Sequence, residues 1–306
     1  MRNFVLTSGA LFAFVAASLP ASAASFNFSV FDVPGAVATY ANGINNSGEI
    51  VGTTINSSGV QQGFVDNGGS FTYINVPNAA VTTVQGVNNA GTIVGSYLDS
   101  GGVTHGFTDV GGTISTFNVS VSGATGTSIM GINSSGQMIG YYSDSSFVQH
   151  GFSLVGSTVT TIGPSGATTS SATGVNASGQ IVGYTTTGFL DNGGTYTAVT
   201  DGTHTQPNGI NTAGQIVGDF ANTTGEHGFL DIAGVFTTID APLGLGSTDV
   251  TGLNDSGTMV GYYEDAAGNI DSFIATPAAA TPEPSSILLI GAGVLGLGIL
   301  RRRRSA

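Results

Sequence analysis

The chain has no cysteine, no tryptophan and no lysine among its 306 residues, and its five arginines are Arg2 and the run Arg301 to Arg304. The absence of cysteine rules out a disulfide framework and a thiol nucleophile, so a packed core alone must hold the fold. Positive charge is missing everywhere between the two terminal segments, whereas all the acidic residues except Glu283 lie there. Nucleic-acid affinity comes largely from Lys and Arg displacing counterions, so nucleic-acid binding is excluded as a function class. A surface of this sign favours solubility and suits divalent cations or neutral, hydroxyl-rich partners. What is abundant is glycine, at 49 residues, beside a hydrophobic fraction of 40% that suffices for a core.

The two ends read as addresses. Met1-Arg2-Asn3, an apolar run from Phe4 to Leu19 and Pro20-Ala21-Ser22-Ala23 form the three parts of a secretory signal peptide over 1–23. The expected cleavage is after Ala23, with Ala24 as the alternative. At the other end, a linker over 277–286 contains Pro282-Glu283-Pro284 and precedes an apolar stretch, 287–300, and an Arg-rich tail, 301–306. A helix over that stretch would span about 21 Å, shorter than the roughly 30 Å hydrocarbon core, and is a marginal anchor. The Arg run would stay cytoplasmic and leave the preceding domain outside.

Pro282, Glu283 and Pro284, the short Gly-rich apolar helix and the cluster Arg301, Arg302, Arg303 and Arg304 resemble the PEP-CTERM tail. The resemblance implies sorting by a membrane-bound, exosortase-like processing enzyme. It also implies transient membrane insertion of a tethered precursor, loss of the Arg run and release to the cell surface or the medium. It covers about the last 25 residues and speaks of destination only.

Between the ends the chain repeats. The element Gly43-Ile44-Asn45-Asn46-Ser47-Gly48 recurs from Gly86, Gly131, Gly174, Gly209 and Gly252, at spacings of 43, 45, 43, 35 and 43. A second element follows it, as His105-Gly106-Phe107, His150-Gly151-Phe152 and His227-Gly228-Phe229, with weaker copies ending at Phe64, Phe189 and Phe273. The pairing resembles the HAF repeat of bacterial extracellular proteins, although several copies lack the His. Each copy reads as four short strands. In the fifth they fall near 208–211, 215–220, 227–231 and 235–240. The Asn-x-x-Gly segments suit tight turns, and Asp66-Asn67-Gly68-Gly69 suits a hairpin. Four strands in about 43 residues match a propeller blade.

The sixth copy lacks a fourth strand, and Phe28-Ser29-Val30-Phe31-Asp32-Val33-Pro34 resembles the missing piece as it stands in Phe236 to Pro242. The expected fold is therefore all-β: a six-bladed β-propeller over 24–276, closed by an N-terminal strand that contacts residues 271–276. An open solenoid would need caps, not contact between its ends.

Strand alternation puts the Asn-x-x-Gly turns and the hairpins on one face. The loops between second and third strands share the other face with the linkers between blades, and variable loops on a rigid scaffold commonly bind. Three of these loops open with Tyr-x-Asp: Tyr97 with Asp99, Tyr142 with Asp144, and Tyr263 with Asp265. An aromatic ring beside a carboxylate suits a sugar ring, or Ca²⁺ held by oxygen ligands. Against this, repeat duplication alone yields such loops, with Tyr packed sideways and Asp solvated. His105, His150 and His227 occupy equivalent positions, where bonding to a neighbouring blade is expected rather than zinc binding. Asn45, Asn88, Asn133, Asn176, Asn211 and Asn254 read as turn formers.

No Gly-x-Ser-x-Gly elbow is present. Asp66, Asp109, Asp191 and Asp231 recur at one repeat position, and no acidic pair stands out for glycoside cleavage. The sequence thus points to a non-enzymatic exported surface or matrix protein, with exopolysaccharide as the candidate partner. No cofactor is implied beyond a candidate Ca²⁺. The alternative is a secreted propeller-fold polysaccharide hydrolase or lyase.

Overall fold

A computed structural model of the chain describes residues 25–201 and 204–278. The segments read as a signal peptide, 1–23, and as an apolar helix, 287–300, lie outside the described residues, as does the tail motif, and among the described residues there is no helix.

The first repeat shows how each unit forms. Its strands are Ala36–Ile44, Ile50–Asn56, Gln61–Asn67 and Ser70–Ile74, all paired antiparallel in sequence order. Asn45 makes the first turn: its Oδ1 accepts hydrogen bonds from the Ser47 and Glu49 N–H groups, and Gly48 takes a φ of +84°. Asp66 makes the hairpin, its Oδ1 accepting from the Gly69 N–H. Asp109, Asp191 and Asp231 accept from Gly112, Gly194 and Gly234 in the same way. The fifth unit has strands Thr205–Ile210, Ile216–Asn222, Gly225–Ile232 and Val235–Ile239. Its innermost strand begins before the expected 208 and includes Pro207. An edge strand tolerates proline, because the missing N–H faces no neighbour.

The core repeats as well. Phe64, Phe107, Phe152, Phe229 and Phe273 are fully buried and Phe189 almost so. Each lies opposite a glycine of the second strand, as Phe64 opposes Gly52. A Cβ at Gly52 would overlap both the Tyr40 carbonyl and the Phe64 ring, so glycine is required there. Neighbouring sheets pack face to face: Val51 and Ile74 of the first unit share a cluster with Val84, Ile93 and Phe107 of the second. Burying one such Phe contributes roughly 2–3 kcal/mol.

The units form a β-propeller arrangement closed by a ring of asparagines. Asn45 Nδ2 donates to the Asn88 carbonyl, Asn88 to Asn133, Asn133 to Asn176, Asn176 to Asn211, Asn211 to Asn254 and Asn254 back to Asn45, at 3.0–3.3 Å. The turn formers thus also join neighbouring units, a role the turn signature does not disclose.

The expected N-terminal closure is present. Phe26–Phe31 pairs antiparallel with Ile270–Pro277, from Phe26 opposite Pro277 to Phe31 opposite Ser272. Phe28 packs on Phe273 with ring centroids 5.6 Å apart. Six separate blades are not what forms. Four repeats stand as separate four-stranded sheets, whereas the first and sixth join in one eight-stranded sheet. The junction is a parallel bridge between Ala38 and Ile270. Its cause is the short link 32–35: the strand that completes the sixth unit turns directly into the first strand of the first unit, drawing the two together.

Candidate functional site

The innermost strands line a central channel. In every unit the residue before the motif glycine sits in a β-bulge: Asn42, Gln85, Met130, Thr173, Asn208 and Thr251 are each skipped by the strand register. A bulge re-aims one side chain, and these six line a cavity of about 300 Å³. Four of them also bond to the next unit. Asn42 donates to Val84 O at 2.7 Å, Thr173 to Pro207 O at 2.5 Å, Asn208 to Val250 O at 3.2 Å and Thr251 to Ala41 O at 2.6 Å. Towards the turn face, the asparagine ring borders a smaller cavity of about 80 Å³.

The larger cavity also collects Asp219, Glu226, Asp249 and Tyr262. One carboxylate oxygen from each of the three acids lies within 4.8 Å of the others. Asp219 is 5% exposed and accepts a hydrogen bond from Asn208 Nδ2 at 2.8 Å. Burial, opposed in part by that bond, raises its carboxyl to about 6. Asp249 rises to about 7 through burial and then through the negative charges of Asp219 and Glu226. Burial beside these acids also raises the Tyr262 phenol, whose ring meets Tyr40 edge-on at 5.0 Å. Three oxygen donors at this separation could surround a calcium ion at about 2.4 Å from each.

These residues break the repeat. Asp219 stands where the other units have Thr53, Ser96, Tyr141, Tyr184 and Tyr262, and Asp249 where they have Tyr40, Thr83, Ser128, Ser171 and Gln206. Glu226 takes the place of Gln61, Thr104 and Gln149. The expectation that no acidic pair stands out is corrected here: strand pairing around the ring gathers three acids from three different repeat positions. A strand-by-strand alignment of the six copies carries the signal, since each acid occurs in one copy only.

The Tyr-x-Asp residues are placed differently. Tyr97 and Tyr142 stack on His105 and His150, each with centroids 5.1 Å apart and planes at 28°. His105 Nε2 lies 3.0 Å from Asp99 Oδ2, and His150 Nε2 the same distance from Asp144 Oδ2. The histidine contacts hold both Asp carboxyls below their ordinary value. The bond to Asp99 raises the His105 imidazole. Asp99, Asp144 and Asp265 also cap their own loops, each Oδ1 accepting two backbone N–H bonds. Tyr142 and Tyr263 are buried, at 8% and 1% exposure, and burial pushes the Tyr263 phenol up to about 12. The structure brings Tyr97 with Asp99 to His105 and Tyr142 with Asp144 to His150, whereas Tyr263 lies opposite Asp271, and the three pairs stand in three different units. His227 lies between Asp240 and Thr224. The three histidines therefore bond within their own units, which corrects the expected bond to a neighbouring blade.

The profile of the PEP-CTERM protein-sorting motif matches residues 280–304, so the chain carries that motif in its C-terminal segment. No curated protein sequence matches the chain. Among solved structures it is similar to the Aleuria aurantia lectin in complex with Fucα1-6GlcNAc, at 11% identity over 79% of this chain and 96% of that one, TM-score 0.48. A gluconolactonase from Xanthomonas campestris is 12% identical over 79% and 89%, TM-score 0.49. AofleA from Arthrobotrys oligospora is 10% identical over 86% and 86%, TM-score 0.47. At these scores and identities the likeness bears on neither ligand nor activity.

Proposed function

We propose that this is an exported, non-enzymatic surface protein that binds extracellular polysaccharide on its loop face, with the acidic mouth of the channel as the principal seat. The observation that carries the reading is the contrast within the ring: six equivalent asparagines are consumed in closure, whereas Asp219, Glu226 and Asp249 are unique to their copies and gather in one polar cavity. Carboxylates and amides converging in a cavity of about 300 Å³ suit hydroxyl donors, or a divalent cation that in turn binds hydroxyls.

Export is supported by the sorting motif, the signal-peptide pattern over 1–23 and the resemblance to extracellular HAF repeats. The described chain ends at the turn face, where Pro277 pairs with Phe26 and approaches Gly257 of the last Asn-x-x-Gly turn. The sorting motif starts just beyond, so a tail processed by an exosortase-type enzyme would leave the loop face pointing away from the attachment.

The test is binding of residues 24–280 to the producer's own extracellular polysaccharide, with calcium and with chelator. Saturable binding that Asp249→Asn weakens would support the reading, and the chelator arm decides whether a cation bridges the two. Absence of binding in both conditions would overturn it.

The same carboxyls favour a second reading, a polysaccharide hydrolase. Asp219 and Asp249 titrate at about 6 and about 7, so near neutrality one can hold a proton while the other is ionised, as an acid–base pair requires. New reducing ends released from the polysaccharide by the wild type, but not by Asp219→Asn, would establish it in place of the first.

A further inference from the structure

A second repeat-breaking feature lies away from the channel, at the tip of the loop between the second and third strands of the third unit. The equivalent loops are Asn56-Ser57-Ser58-Gly59, Asp99-Ser100-Gly101-Gly102 and Asp265-Ala266-Ala267-Gly268, and the third unit has Asp144-Ser145-Ser146-Phe147. All four close the same turn, with the last residue's N–H donating to the first residue's carbonyl at 2.9–3.1 Å. All four need a left-handed backbone at the last position: φ is +76° at Gly59, +81° at Gly102, +83° at Gly268 and +61° at Phe147. Glycine meets that demand freely, whereas a bulky side chain there is strained. Phe147 is also 87% exposed, so neither its conformation nor its surroundings reward a phenyl ring in the isolated molecule. Strain of this kind at one site points to a use for the side chain.

The ring borders a cavity of about 300 Å³ between the second and third units, and every residue that lines it is uncharged. Ser128 lines it and is 4% exposed. Tyr141, Ser143 and Gln149 offer further side-chain donors and acceptors along it. A neighbouring cavity of about 330 Å³ shares Thr104, Ser128 and Tyr141 with it and shares Gln85 and Met130 with the channel cavity. A continuous trough thus runs from the channel to Phe147. Its polar, uncharged inner wall matches hydroxyl groups, and the exposed ring at its outer end matches the apolar face of a pyranose.

We infer that this trough is a binding site for a neutral oligosaccharide, one sugar ring stacking on Phe147 and inner hydroxyls bonding to Ser128 and Tyr141. The inference rests on the reading of the loop face as the binding face, yet it uses none of the channel carboxylates.

The test exploits the strain. Phe147→Gly restores the residue of the sister loops, so its melting temperature should equal or exceed that of the wild type. Its affinity for neutral gluco-, manno- and galacto-oligosaccharides, measured by calorimetry on the mature chain, should fall by about tenfold or more. Phe147→Tyr should retain binding, and Ser128→Ala should weaken it without loss of folding. Asp249→Asn is the separate test of the channel seat, read with the producer's polysaccharide in parallel with the Phe147→Gly measurement. Equal affinities of wild type and Phe147→Gly would overturn the inference, as would no binding by the wild type to any of the three sugar series. A loss confined to Asp249→Asn would leave the channel reading standing and remove this one.

Discussion

The turn face and the loop face are built from the same six copies, yet they have diverged to different degrees. On the turn face every copy keeps its asparagine, and each side chain has two tasks: its oxygen holds a turn and its amide reaches the next unit. Changing one copy breaks a closed ring, so the copies constrain one another. On the loop face five of the six loops are held by their own capping Asp or Asn, the fourth by Thr185, and a change in one leaves the others intact. Glycine can become Phe147 there, and Gln206 of one copy can correspond to Asp249 of the next. Divergence is found where the hydrogen bonds are local.

This contrast can be broken from several sides. The largest effect is expected in the shared core, where Phe152→Ala should cost about 3–5 kcal/mol in urea denaturation, because the fully buried ring leaves a cavity against Gly140. Next is the ring: Asn176→Ala removes the bond to the Asn211 carbonyl at 3.0 Å and strips two N–H groups of their acceptor. A loss of about 2–4 kcal/mol is expected, and Asn176→Asp should keep the turn while losing the inter-unit bond. A loss below 1 kcal/mol for both would refute the ring as a stabilising device.

The channel should respond in the opposite direction. Asp219 and Asp249 hold protons more tightly folded than unfolded, since both lie above the ordinary value of 3.8. Between pH 4 and 7 the folded state therefore binds more protons, and stability falls as pH rises through that window. Asp249→Asn should stabilise the domain at pH 8 by on the order of 1–2 kcal/mol and flatten thermal melting between pH 5 and 8. Calcium should reproduce part of that gain if the three acids bind it. The smallest effect is expected at Tyr97→Phe, which keeps the ring on His105. Its stability and polysaccharide binding should match the wild type within about 0.5 kcal/mol, and a marked loss of binding would restore the Tyr-x-Asp loops as a site.

Much of the fold was legible. The four-strand period, the turn chemistry of Asn45 and Asp66, and the match of Phe28 to Pro34 with Phe236 to Pro242 all follow from local rules that act within a few residues. The candidate site was less so. Asp219, Glu226 and Asp249 occupy three different repeat positions, and only the packing of the fifth unit's second and third strands beside the sixth unit's first strand brings their oxygens within 4.8 Å. The Tyr-x-Asp motif was legible as a pattern, but its meaning depended on His105 and His150, which lie across a strand pair from the tyrosines.

By itself the sequence determined the repeat, the strands, the turns, the strand shared between the two ends of the array and the sorting motif. These depend on residue type and short spacing, which hold wherever the segment lies. Only the tertiary structure decided that the first and sixth repeats share one sheet, that the turn asparagines form a ring, and that three scattered acids meet in the channel. Each of these needs a contact between different repeats, whose partners are chosen by how whole sheets pack and not by the residues beside them in the chain.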